Sequence, residues 1–161
     1  MAWSSIDLMG AVLDRVDTSP AYALGTRCTA HSSTTPYGIG EFIYMTGVIS
    51  TAIGSWATLN YDDYTTTLLV DNAIGPVGVA MSASVASTYG WYQIRGKASA
   101  LIAASINENV GLYAHTVAGT AAGTSSGKSE IIGACSAAAS GAGGLTEVEI
   151  NYPVTGLSAA A

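Results

Sequence analysis

Three observations predict an all-β protein, a small antiparallel β-barrel or sandwich with an extended N-terminal arm. Apolar residues alternate with period two through most of the chain. Turn residues punctuate these runs at short intervals. Helical spacing is confined to the first twenty positions. The expected organisation is an arm over 1–20, a β-domain over 21–153 and a frayed tail over 154–161.

In the arm, Ser4-x-x-Asp7 is a capping pattern for a short helix. Trp3, Ile6, Leu8, Leu13 and Val16 follow a loose helical spacing, and Asp17-Thr18-Ser19-Pro20 would end it. The segment either packs on its own barrel or reaches a neighbouring subunit. Tyr22 to Ala30 reads as a first strand, and His31 to Gly38 as a polar loop. Glu41 to Ser50 is a second strand with Phe42 and Tyr44 on one face and Ile43 and Met45 on the other. Two apolar faces mark a central, doubly covered strand. Short strands follow at Ser55–Leu59 and Thr65–Val70, with Asn60-Tyr61-Asp62-Asp63 as the turn between them.

Val77 to Ser87 is the clearest alternating run, with Val77, Val79, Met81, Ala83 and Val85 on one face. Tyr89 to Gly96 is the densest aromatic stretch, and Trp91 and Tyr92 must point to opposite faces. Gly96 predicts a bend. Beyond it Ala98, Ala100, Ile102, Ala104 and Ile106 share a face. Leu112–His115 and Glu130–Ala137 are further short strands, and residues 117–129 read as a mobile loop by composition. The last strand, Leu145 to Tyr152, places Val148, Ile150 and Tyr152 inward, with Glu147 and Glu149 outward, and Pro153 ends it.

The chain has 161 residues, which suits one domain able to bury a core without disulfides or metal. Charged residues are 10%, against a usual quarter, and hydrophobic residues 49%, much of this Ala. A surface so poor in charge hints at burial in an assembly. The net charge of −6, with five Lys or Arg, weighs against nucleic acid, whose binding rests on neutralising phosphates, and against anionic membranes. No apolar run reaches a membrane-spanning length, and the start lacks a secretory pattern. Cys28 and Cys135 fit no metal spacing and read as free thiols, with a disulfide left open.

Ala122 to Ser129 satisfies a permissive phosphate-loop pattern, ending Gly127-Lys128-Ser129. It lacks the parallel α/β setting that such a loop needs, and a surface loop is the better reading. His31 and His115 have no ligand-spaced partners. The pairs Asp62-Asp63 and Glu147-x-Glu149 suggest a turn and a wet strand face rather than a glycosidase pair. No catalytic, metal or cofactor-binding residues are assigned, and no cofactor is expected.

Leu24-Gly25-Thr26-Arg27 with Gly40-Glu41-Phe42-Ile43-Tyr44, Tyr89-Gly90-Trp91-Tyr92-Gln93-Ile94-Arg95-Gly96, and Thr146-Glu147-Val148-Glu149-Ile150 with Tyr152-Pro153 together resemble the decoration, or cement, proteins of tailed-bacteriophage capsids. The likeness covers about residues 20–153 and leaves the arm outside it. It implies a non-enzymatic β-barrel, made in the host cytoplasm, that clusters as a homotrimer on the outer capsid surface. Its partners would be the major capsid protein and itself, with no nucleic acid and no membrane. The contact residues expected on this reading are Trp3, Ile6, Leu8, Leu13, Tyr22, Leu24, Trp91 and Tyr92. The alternative is an attachment module that binds a host glycan or receptor through exposed aromatics.

Overall fold

Alternation over Tyr89–Ile102 produces the longest strand, β7, and the molecule is built on both of its halves. The computed structural model describes residues 2–8, 10–34 and 37–156. These form eleven strands and no helix: β1 (Trp3–Ser5), β2 (Arg27–Ser32), β3 (Ile39–Thr46), β4 (Trp56–Asn60), β5 (Thr65–Leu68), β6 (Gly75–Ala80), β7, β8 (Gly111–Ala114), β9 (Ala121–Ala122), β10 (Glu130–Ser136) and β11 (Gly144–Thr155). The protein is all-β.

Strand pairing closes two rings that share β7. The first runs β3–β5–β4–β6–β7 and back to β3. The second runs β7–β11–β10–β8–β9 and back to β7. Nearly all pairings are antiparallel. Each ring is completed by one parallel contact, Thr46 with Thr65 in the first and Ile102 with Ala121 in the second. Closure leaves the strands within the rings without free edges, while β2 and β1 extend the sheet outward from β3.

Side-chain alternation sorts the apolar residues into three layers. Ile43, Met45, Ala57, Leu59, Ala80, Tyr92 and Ile94 fill the first ring. Ala98, Ala100, Ile102, Leu112, Ala114, Ile131, Val148 and Ile150 fill the second. Val77, Val79 and Trp56 join this second core from the opposite face of β4 and β6. The Trp56 indole N–H donates to the Leu101 carbonyl at 3.0 Å and ties the rings together. A third layer lies outside the first ring, where Phe42, Tyr44 and Trp91 are covered by β2 and the N-terminal segment.

That segment is not helical. β1 pairs antiparallel with β2, Trp3 opposite Ser32, because the exposed edge of β2 needs partners that a free helix would not supply. Asp7 is no helix cap; its carboxylate accepts from the Thr29 N–H at 2.8 Å and finishes the same edge. Asp17 forms an isolated bridge with Tyr89. The segment is thus laid along its own barrel, with Ala11 and Leu13 buried.

Other expectations are corrected. The alternating run from Val77 stops as a strand at Ala80, and residues 81–88 form a loop in which Ser84 turns its hydroxyl to the Tyr92 OH at 3.2 Å. Gly96, at φ +100°, kinks β7 without ending it. An added Cβ there would lie 2.6 Å from the Ile39 carbonyl oxygen, so only glycine fits. The buried Gln93 amide spans the kink, donating to the carbonyls of Arg95 at 3.1 Å and Lys97 at 2.9 Å. β11 passes Pro153 and continues to Thr155, across the expected domain end. Most of the expected tail, Leu157–Ala161, lies outside the described residues. Both cysteines are free. Burial pushes the Cys28 thiol up to about 12, with the Asp7 carboxylate adding to the effect.

Candidate functional site

The eight expected contact residues fall into three groups. Leu13, Trp91 and Tyr92 are 2%, 1% and 1% exposed and have no surface to offer a partner. Trp91 and Tyr92 do point to opposite faces, and both faces are covered: Trp91 belongs to the outer layer beneath the N-terminal segment and Tyr92 to the first ring. Trp3, Leu8, Tyr22 and Leu24 are half-buried against Trp91, Phe42 and Tyr44. Trp3 meets Phe42 edge-on at 4.9 Å, and Tyr22 meets Tyr44 edge-on at 5.4 Å. Ile6 alone stands well into solvent, at 58% exposure.

The more distinctive site lies where β7 leaves β3 and joins β11. Between Ile132 and Ala134 the β10–β11 register shifts: Ala134 faces Ile150 while Ile132 faces Val154. β11 therefore carries extra residues opposite Gly133. Such a bulge re-aims side chains. Asn151 and Tyr152 both become exposed, which regular alternation forbids. The expected inward position of Tyr152 is overturned by this bulge. Gly133 makes it possible. Its φ is +85°, and an added Cβ would sit 2.8 Å from the Asn151 carbonyl oxygen. Tyr152 itself adopts φ +46°, an uncommon state for a bulky residue and one further restricted before a proline.

Contacts hold that strained tyrosine in place. The Tyr152 hydroxyl donates to Glu41 Oε2 in a very short hydrogen bond. Glu41 Oε1 accepts from Arg95 Nη1 at 2.9 Å, and the Arg95 guanidinium lies 5.9 Å from the centre of the Tyr152 ring. The hydrogen bond from Tyr152, helped by Arg95, holds the Glu41 carboxyl below its ordinary value. The same bond to Glu41 raises the Tyr152 phenol. Nearby, Lys97 Nζ pairs with Glu147 at 3.6 Å. Cys135, Glu149 and Lys97 form one cross-strand row on β10, β11 and β7. Together these strands and the start of β3 line an open cleft of about 1030 Å³.

A second cavity, about 420 Å³, has an apolar floor including Ile106 and Ala114 and a rim that includes His115 and Lys128. The phosphate-loop pattern borders it but lacks the required setting. No helix follows Lys128, whose Nζ is held by Asp71 Oδ2 at 3.3 Å. Asp71 also accepts from the Ser129 N–H at 3.1 Å, so this stretch is clamped rather than loose. The other cations are engaged as well. Arg15 pairs with Asp17 at 2.6 Å, and Arg27 lies 5.7 Å from the centre of the Tyr61 ring. Among the described residues no three His, Cys, Asp or Glu groups converge as metal ligands. Asp62 and Asp63 lie in a turn, where Thr65 bonds the Asp63 carboxylate.

Sequence reading missed Glu41, Gln93, Arg95, Asn151 and Tyr152 as a group. Two signals pointed there: a glycine inside the β10 run, and Tyr152-Pro153 at what looked like a strand end. No protein-family model matches the chain, and no curated protein matches it.

Proposed function

We propose that this protein is a non-enzymatic structural protein of the virion that decorates the outer face of a bacteriophage capsid. Its partners on this reading are the major capsid protein and further copies of itself, as a homotrimer. The observation that carries the reading is the surface. Among the described residues thirteen bulky apolar side chains are exposed, on a chain with five Lys or Arg in all. The five cations are each drawn to a carboxylate or an aromatic ring of the same chain. Such a surface is poorly suited to DNA and well suited to apolar contact with protein neighbours. The sequence likeness to cement proteins supplies the kind of neighbour.

Ile53, on the loop before β4, and Leu145, at the start of β11, form the strongest candidate contact, and both are exposed. Leu145 lies against Gly54, and the Gly54 carbonyl accepts from the Leu101 N–H. The N-terminal segment adds Ile6 and Val12, which point outward while Ala11 and Leu13 keep it docked.

The test is co-sedimentation with undecorated capsids of the virion that encodes the chain. The native protein should pellet with capsids to saturation. Replacing Ile53 and Leu145 with Asp should lower affinity by roughly tenfold or more, since two desolvated apolar anchors are lost. No pelleting of the native chain at micromolar concentration would refute the reading.

A further inference from the structure

We propose that the cleft between β3, β7, β10 and β11 is a saccharide-binding site for a short neutral oligosaccharide. Four features of its construction point there. Its volume, about 1030 Å³, is at the upper end for small-ligand clefts and is open enough for a chain of sugar rings to cross. Its floor sets an exposed carboxylate, Glu149, and an exposed amide, Asn151, two residues apart on β11, with Lys97 and Arg95 directly across the strand pair. That is a close mixture of acceptors and donors, the chemistry that vicinal hydroxyls require.

The third feature is charge. Both cations of the cleft are already neutralised, Arg95 by Glu41 and Lys97 by Glu147. An anionic ligand would have to break an internal ion pair and would meet Glu149 as well. A neutral polyol needs neither change. The fourth is an aromatic ring beside the cleft, fastened to its lining residue Glu41. Tyr152 is 46% exposed, yet its hydroxyl is fixed on Glu41 and Arg95 lies by its ring. A ring held rigid costs little further entropy when a pyranose packs its C–H face on the exposed part. Ile39, also exposed, supplies an apolar wall.

Two strained backbone positions also fall at this place. The left-handed Tyr152 before Pro153 and the glycine-dependent bulge at Gly133 are both kept although a regular β10–β11 ladder would be easier to form. Sparsely populated backbone states persist where the surroundings over-determine them, and such places cluster at binding sites.

Binding here is independent of capsid decoration. The cleft is lined by β3, β7, β10 and Glu149–Asn151 of β11, whereas the side chains named for the capsid, Ile6, Val12, Ile53 and Leu145, are not part of that lining. A glycan array carrying neutral and sialylated oligosaccharides, probed with the labelled full chain, tests it. Neutral glycans should retain the protein. A double variant, Glu149→Gln with Asn151→Ala, should lose that retention by about tenfold or more. Both positions are exposed, so the variant should keep the native circular dichroism spectrum and its capsid co-sedimentation. Retention of no neutral glycan, retention of sialylated glycans alone, or equal retention of the folded double variant would each overturn the assignment.

Discussion

At Gly133 a hydrogen in place of a methyl group decides whether the β10–β11 bulge forms. Gly133→Ala would place a Cβ 2.8 Å from the Asn151 carbonyl oxygen at a φ of +85°. The expected loss is about 1–3 kcal/mol of unfolding free energy, read by urea denaturation. An unchanged midpoint would mean that the bulge relaxes without cost. Glu41 gives a pH prediction of definite sign. Its folded value is lowered from 4.5 by the Tyr152 hydroxyl and Arg95. A lowered carboxylate contributes stability that is fully present above its unfolded value and is lost as pH falls through the folded one. Native stability should therefore drop on acidification below about pH 4.5, and Glu41→Gln should flatten that limb. Equal acid limbs in the two proteins would contradict the clasp between Glu41, Arg95 and Tyr152.

At the scale of elements, the N-terminal segment is part of the core. Deleting residues 1–20 would uncover Trp91, Phe42 and Tyr44, so such a truncation should destabilise the barrel as well as alter its contacts. Leu13→Ala should cost about 2–5 kcal/mol, as for other buried leucines. Tyr44→Phe removes a clasp on the same segment. The Tyr44 hydroxyl donates to Asp17 Oδ2 at 2.6 Å and accepts from the Ala21 N–H at 3.2 Å. Burial and that carboxylate push the phenol up to about 12. The expected cost is about 1.5–3 kcal/mol, the usual range for a hydrogen bond to a charged group. A loss confined to a few tenths would show that the clasp is dispensable. The alternation of Phe42 to Met45, Trp91 to Ile94 and Ala98 to Ile102 was legible because period two is a local signal, and each strand follows it. The short helix over the arm was misread because its apolar spacing fits a strand-edge cover equally well. Residues 117–129 looked loose because composition does not reveal that Asp71, more than fifty positions earlier, clamps Lys128 and Ser129. The cleft was illegible for the same reason: it needs a bulge, a kink and a distant carboxylate to meet.

For the whole molecule, one strand serves two rings, and each ring depends on a single parallel contact that no local pattern announces. Long-range pairing of this kind predicts slow folding relative to helical domains of equal size. The surface is the other global property. Its thirteen exposed bulky apolar side chains, with four of the five cations in internal ion pairs, argue for protein neighbours. In isolation the chain should associate, and multi-angle light scattering should report a trimer mass; a monomer at all concentrations would remove the homotrimer from the account. The most direct measurement is a cryo-electron microscopy map of the native particle. Density matching these two fused rings is expected on the outer capsid surface, over joints between major capsid subunits, with Ile53 and Leu145 at the contact. Density for the chain elsewhere in the virion, or none on the capsid, would contradict it.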